Sequence, residues 1–324
     1  MSGGDPLNRT FIDDTHPCFQ INIISSTVKK TPSTRCVLFY IFISTVSAVT
    51  VLGNLLVIIS IIYFQQLHTP TNFLILSLAV TDLLVGFVMF PLNMEFSANS
   101  CFYSPDALCK VGDILDVTLS TASILHLCFI SIDRYYAVCQ PLTYRTKINV
   151  HVVVIMIVVA WCISVLVAVG FVVTGLNFEK CQENCLFLPN TFGPVFSFYL
   201  PVIIMLCIYI KIFLVAQKQA RSIQNTNCHS KKKGLTARKV EGKATRTLAI
   251  VMGVFLICWT PFFICIAADS SVPAEVFETV AWLALFNSML NPFIYAFFYS
   301  WFRSAFRLIL SGIIFQGNLF SICH

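Results

Sequence analysis

Seven apolar runs, each longer than the ~20 residues a helix needs to cross the hydrocarbon of a bilayer, constrain this chain more than any other feature. They cover about 36–63, 72–94, 108–139, 151–174, 192–216, 244–268 and 276–299. In lipid every backbone polar group must be paired within the protein, so such runs must be helices packed against one another. The predicted fold is an all-α membrane protein: a seven-transmembrane helix bundle over 36–299, after an extracellular tail over 1–35. A short amphipathic inner-leaflet helix and tail follow over 300–324. Composition agrees, with 57% hydrophobic and 11% charged residues where soluble domains carry about 45–50% and 25%. No internal repeat or long linker divides the chain, which implies one compact domain.

Charge sets the orientation. Fifteen of the 21 Lys and Arg fall at one set of span ends, among them Arg134, Arg145, Lys147, Lys211, Lys231–Lys233, Arg303 and Arg307. That set is predicted to be cytoplasmic, with the amino terminus outside. Of the 15 acids, eleven fall at or near the outer face, and only Asp133 and Glu241 at the inner one. A net negative outer face concentrates cations at its mouth. The first thirty residues lack an apolar core, so the expectation is that no signal peptide is cleaved and the first span directs insertion. Asn8-Arg9-Thr10 is then a glycosylation acceptor on the outside.

The third span carries charge where charge is expensive. Asp116 and Arg134 are eighteen residues apart, five whole turns, so they share one helix face about 27 Å apart. Ser123 falls within about 20° of the same line. A carboxylate near one end, a hydroxyl midway and a guanidinium at the other end read as a membrane-spanning relay with an outer cation site. The second span holds another acid, Asp82. Its available partners are Asn54, Ser123, Asn287, Ser288 and Asn291, oxygen donors suited either to a small hard cation or to a hydrated polar network.

In the sixth span Pro261 removes a hydrogen bond and gives a pivot. Trp259, Phe262 and Phe263 offer ring faces against which an ammonium can rest. Pro292 kinks the seventh span beside Asn291 and Tyr295. Beyond it, SWFRSAFRLIL puts Phe302 and Phe306 near one face and Arg303 and Arg307 on another, the pattern of a helix lying on the inner leaflet. Of the fourteen cysteines, Cys18, Cys101, Cys109, Cys181 and Cys185 fall outside or nearly so, where disulfides persist. Their pairing is not fixed by sequence.

Asn54, Asp82, Asp133-Arg134-Tyr135, Trp161, Pro201, Trp259 with Pro261, and Asn291-Pro292 with Tyr295 resemble, span by span, the rhodopsin-like G-protein-coupled receptors. The stretch NSMLNPFIYAFFYSWFRSAF is similar to the fingerprint of the trace amine-associated receptors, and LHTPTNFLILSLAVTDLLVG and HLCFISIDRYYAVCQPL resemble the same subfamily. The resemblance implies Asp116 as the acid that holds a protonated amine, and the disulfides Cys109–Cys185 and Cys18–Cys181. It implies no enzyme activity and no cofactor, apart from an allosteric sodium ion at Asp82, Ser123, Asn287, Ser288 and Asn291. Trp259, Phe262, Phe263, Asp113, Ser120, Ser197 and Leu285 complete the expected ligand set; family members usually have tyrosine where Leu285 stands. The coupling set is Asp133, Arg134, Tyr135, Tyr209, Glu241 and Tyr295, with Glu241 expected to reach Arg134 in the closed state. A stimulatory or olfactory G protein, cyclic AMP signalling, arrestin, a receptor kinase and membrane lipid are the implied partners, at the plasma membrane, with no nucleic acid.

Asp113, one turn above Asp116, is a candidate for the second charge of a diamine. Rival classes fit less well. A transporter or channel is expected to show paired broken helices. A membrane enzyme needs clustered ligands, whereas the six histidines are scattered. No lysine lies between Val276 and Ser300, which excludes a retinal Schiff base. Within receptors the alternative is a serotonin-like aminergic neurotransmitter receptor, against which the carboxyl-terminal fingerprint argues.

Overall fold

The computed structural model describes residues 19–24, 27–32, 34–99, 107–178, 194–225, 232–268, 272–298 and 300–311. Seven helices among them are long and apolar enough to cross a membrane: Val37–Tyr63, Pro70–Met94, Val111–Cys139, Val150–Phe171, Val195–Val215, Ala249–Ala268 and Glu275–Phe297. The protein is a multi-pass membrane protein with the seven-helix bundle that its apolar runs require.

The first span is α1 (Thr34–Tyr63). The second runs from α2 (Pro70–Leu84) through a π turn (Val85–Met89) into α3 (Phe90–Asn99). The third is α4 (Ala107–Cys139), followed by a short helix α5 (Pro141–Lys147). The fourth is α6 (Val150–Phe178). The fifth is a π turn (Val195–Tyr199) leading into α7 (Leu200–Asn225). The sixth and seventh are α8 (Lys232–Ala268) and α9 (Ala274–Phe298), and α10 (Ser300–Leu310) closes the described chain. Ahead of α1 a two-stranded antiparallel hairpin pairs β1 (Phe19–Ile24) with β2 (Thr27–Pro32), in register from Phe19 opposite Pro32 to Ile24 opposite Thr27. The sequence did not announce this hairpin.

Local chemistry explains the helix ends. Thr69 caps α2 by accepting from the Asn72 amide at 3.3 Å, and Pro70 takes the first helical position, where no amide is needed. Each π turn precedes a proline, Pro91 or Pro201, whose missing N–H breaks the regular hydrogen-bond ladder. Pro261 and Pro292 sit inside α8 and α9.

Two glycines let α1 approach its neighbours. A Cβ on Gly53 would lie 3.0 Å from the Cβ of Pro292, and one on Gly86 would lie 2.9 Å from Cγ2 of Thr50. Ser47 clamps the second contact by donating to the Gly86 carbonyl at 2.7 Å. Small residues bring helices close where no hydrophobic force drives association. The larger buried cluster includes Leu74, Leu78, Ile124, Ile130, Phe255 and Tyr295; the second joins Ile43, Met89, Phe90, Leu119, Trp282 and Leu285. Apolar side chains such as Ile155, Leu166, Ile203 and Phe213 face outward, as lipid contact requires. On α10, Phe302 and Ala305 are buried while Arg307 is exposed. Arg303 donates to the Ala296 and Phe297 carbonyls at 3.2 and 2.8 Å, closing the end of α9.

Candidate functional site

Helix α4 carries three polar stations at different depths, as the spacing of Asp116, Ser123 and Arg134 requires. Toward the amino-terminal end of α4 Asp116 is half-buried, and Asp113, one turn earlier, is exposed. Ser120 is within hydrogen-bonding reach of the Asp116 carboxylate. The aromatic residues of α8 form a connected group. The Trp259 and Phe262 rings meet at 84° with centroids 6.0 Å apart, and Phe262 and Phe263 meet at 86° and 5.5 Å. Phe263 is stacked on Phe198 at 3.9 Å, so one of its faces is taken within the protein, and Tyr199 donates to its carbonyl at 3.1 Å. Phe277 of α9 packs against Phe262 at 5.4 Å. The Trp259 indole N–H is buried without a partner. Ser197 is buried in the π turn before α7. Leu285 is buried in the second apolar cluster beside Leu119 of α4.

At mid-depth Asp82 is fully buried. It accepts from Asn291 Nδ2 at 2.7 Å and from Ser123 Oγ at 3.5 Å, with Ser288 as a further hydrogen-bond partner. Asn54 donates to the Thr50 and Ser288 carbonyls at 3.0 and 3.1 Å, tying α1 to α9. The side-chain oxygens of Asn54, Asn287 and Asn291 are buried without a donor. Unpaired oxygens beside a carboxylate fit a small hard cation, which binds through oxygen. Among the described residues no group of three or more His, Cys, Asp and Glu side chains could hold a metal ion.

At the carboxyl-terminal end of α4 Arg134 donates through Nε to Asp133 Oδ2 at 2.8 Å and through Nη2 to Thr71 Oγ1. Thr71 in turn donates to Asp133 Oδ2, and Tyr144 of α5 donates to Asp133 Oδ1, each at 2.8 Å. Tyr295 is buried and Tyr209 half-buried, while Tyr135 flanks the pair and meets Tyr136 edge to face at 5.7 Å. The Glu241 side chain expected to reach Arg134 lies outside the described residues, as do Asn8, Cys18, Cys181, Cys185 and the side chain of Cys109.

The family model for seven-transmembrane receptors of the rhodopsin family matches residues 53–295. The chain is 45% identical over 300 residues to trace amine-associated receptor 1 of Macaca mulatta, covering 86% of this chain and 88% of the relative. It is 42% identical to trace amine-associated receptor 4 of Mus musculus, covering 87% of each. Against trace amine-associated receptor 1 of Homo sapiens it is 43% identical, covering 82% of this chain and 85% of the relative. The chain belongs to the trace amine-associated receptors. The resemblance read from its motifs is borne out, and its family is one of receptors rather than enzymes.

Three partners in this receptor were not legible in the sequence. Thr71 and Tyr144 complete the Asp133–Arg134 site from other elements. His126, read there only as one of six scattered histidines, sits fully buried between three spans. Its Nδ1 is 2.6 Å from the Ala122 carbonyl, which can only accept, so Nδ1 carries the hydrogen. Its Nε2 therefore accepts from the Ser77 hydroxyl at 2.7 Å, and Ser77 accepts from Trp161 Nε1 at 3.2 Å. The short basic loop gave no cue for Tyr144. A histidine in a strongly apolar run was the available cue for the second network.

Proposed function

We propose that this receptor senses small protonated amines and signals through a stimulatory G protein to cyclic AMP. The observation that carries the reading is Asp116, a half-buried carboxylate on α4 supported by Ser120. Beside it stand the names of the relatives, which are trace amine-associated receptors. A charge-assisted hydrogen bond in a site shielded from water is strong for its size. Trp259 and Phe262 supply the aromatic surface that a cation favours.

Ligand contact near Trp259 biases α8 about Pro261, and the bias equals the ligand's differential affinity for the two states. Outward movement of α8 exposes Arg134, Tyr209 and Tyr295 to a G-protein helix and separates Glu241 from Arg134. Asp82, Ser123, Asn287, Ser288 and Asn291 would hold a sodium ion, which neutralises the buried carboxylate and favours the closed state. The receptor resides at the plasma membrane with its amino terminus outside, glycosylated at Asn8 and carrying the Cys109–Cys185 and Cys18–Cys181 disulfides. Sensing of volatile amines by olfactory neurons, with arrestin and a receptor kinase ending the signal, follows from the same reading.

The test is a cyclic-AMP reporter screened with mono- and diamines, with Asp116→Ala beside the wild type. Responses lost in the variant at equal surface level support the reading. Undiminished responses in the variant refute it.

A further inference from the structure

Two adjacent residues at the end of the π turn Val195–Tyr199 reach from the fifth span to the sixth. Phe198 is buried, with its ring stacked on Phe263 at 3.9 Å and 11°, and it also meets Phe255 at 6.2 Å and 39°. Tyr199 meets Phe263 edge to face at 6.0 Å, and its hydroxyl donates to the Phe263 carbonyl at 3.1 Å. Phe255 comes six residues before Pro261 and Phe263 two residues after it. The pair therefore touches α8 on both sides of its proline.

A proline inside a helix leaves one backbone bond unmade, so the angle between the two halves is set by what packs against them. Here one ring, Phe198, lies against both halves, and any change of angle shifts Phe255 relative to Phe263. The rings alone can slide, because aromatic pairs tolerate offset. A hydrogen bond does not, since it weakens steeply once donor and acceptor lose alignment. The Tyr199 hydroxyl therefore pins the carboxyl-terminal half of α8 at one height and one rotation. In the same structure Arg134 is tied to Asp133 and Thr71, so its guanidinium is occupied within the protein.

We propose that Tyr199 is a positioning residue that braces α8 against pivoting about Pro261, and that this brace sets how far the receptor signals without ligand. The inference rests on the pivoting of α8 given above and names the residue that resists it. Tyr199→Phe keeps the ring and removes only the bond. The ratio of pivoted to unpivoted receptor should then rise roughly two- to ten-fold, the factor that one neutral hydrogen bond is worth.

The experiment compares the full-length wild type with Tyr199→Phe in two ways. Basal cyclic AMP is read in the reporter at matched surface level, and backbone hydrogen exchange is read on the purified receptor in detergent. The variant should raise the basal signal by that factor and speed exchange over residues 249–256 as well as 262–268, since a pivot loosens both halves of α8. A bond that only stiffens its own neighbourhood would speed exchange over 262–268 alone. Exchange that is unchanged, or faster only there, overturns the brace. So does an unchanged basal signal in a receptor whose wild type responds to amines through Asp116. If no amine raises cyclic AMP in the wild type, the signalling reading above fails by itself, and exchange over 249–256 still decides the brace.

Discussion

Tyr144 donates its hydroxyl to Asp133 Oδ1 at 2.8 Å, which fastens the short helix α5 to the carboxyl-terminal end of α4. The bond places a neutral donor on Oδ1 of the carboxylate whose Oδ2 holds Arg134, so α5 and Arg134 are tied to the two oxygens of one side chain.

Replacing Tyr144 with Phe should therefore cost about 1.5–3 kcal/mol, the range for a hydrogen bond to a charged group. A lowered thermal unfolding midpoint in detergent would show it, and an unchanged midpoint would mean that the bond contributes nothing. Burial, and then the charge of Asp133, push the Tyr144 hydroxyl above the usual tyrosine range. A raised folded-state pKa gives stability that is whole below the unfolded value and lost only as pH climbs through the folded one. The difference between wild type and Y144F should thus be flat from about pH 6 to 9.

Asp82→Asn removes the charge that a sodium ion would neutralise while keeping the side-chain shape. Agonist affinity in wild-type membranes should fall several-fold when sodium replaces a bulky organic cation at constant ionic strength. The D82N receptor should show no such response. A sodium effect of equal size in both would move the ion elsewhere.

Gly86→Ala places a methyl 2.9 Å from Cγ2 of Thr50, closer than carbon atoms sit in real packing. Overpacking of this kind costs about 1–3 kcal/mol. Pairing it with Thr50→Ser, which deletes the nearest methyl but keeps the Thr50 Cβ at 3.0 Å and Val51 Cγ2 at 3.1 Å, should recover part of the lost thermal stability. If the pair is no more stable than G86A alone, the close approach is not the cause.

His126→Ala leaves the Ser77 hydroxyl, which itself accepts from the Trp161 indole, without its acceptor, for an expected loss of about 1–3 kcal/mol. Because His126, Ser77 and Trp161 form one network, the losses in H126A and Trp161→Phe should not add. Additive losses would mean that the three residues act independently.

The spans were legible because an apolar run of twenty-odd residues has few structural options, and the Asp82 partners because polar residues in lipid must find one another. The Asp133–Arg134 site was legible only in half. Thr71 lies 62 residues upstream of Asp133 and looks like an ordinary helix-start threonine. Tyr144 lies in a basic loop whose composition says no more than that it faces the cytosol. The ring contacts of Phe263 were equally hidden, since its stacking on Phe198 depends on how the fifth and sixth spans are rotated. The π turns left no mark in composition beyond a proline two residues on.

Those wide turns also have a consequence for shortening the chain. The turn at Val195–Tyr199 carries one backbone step more than an α-helix would use over the same height. Deleting a single residue from it would let the ladder close regularly, at the cost of turning everything on its outer side by about 100° relative to α7. Ser197, now buried, would swing toward lipid, and the amino-terminal start of the fifth span would present a different edge to the bundle. One missing residue there would act as a rotation and not as a gap.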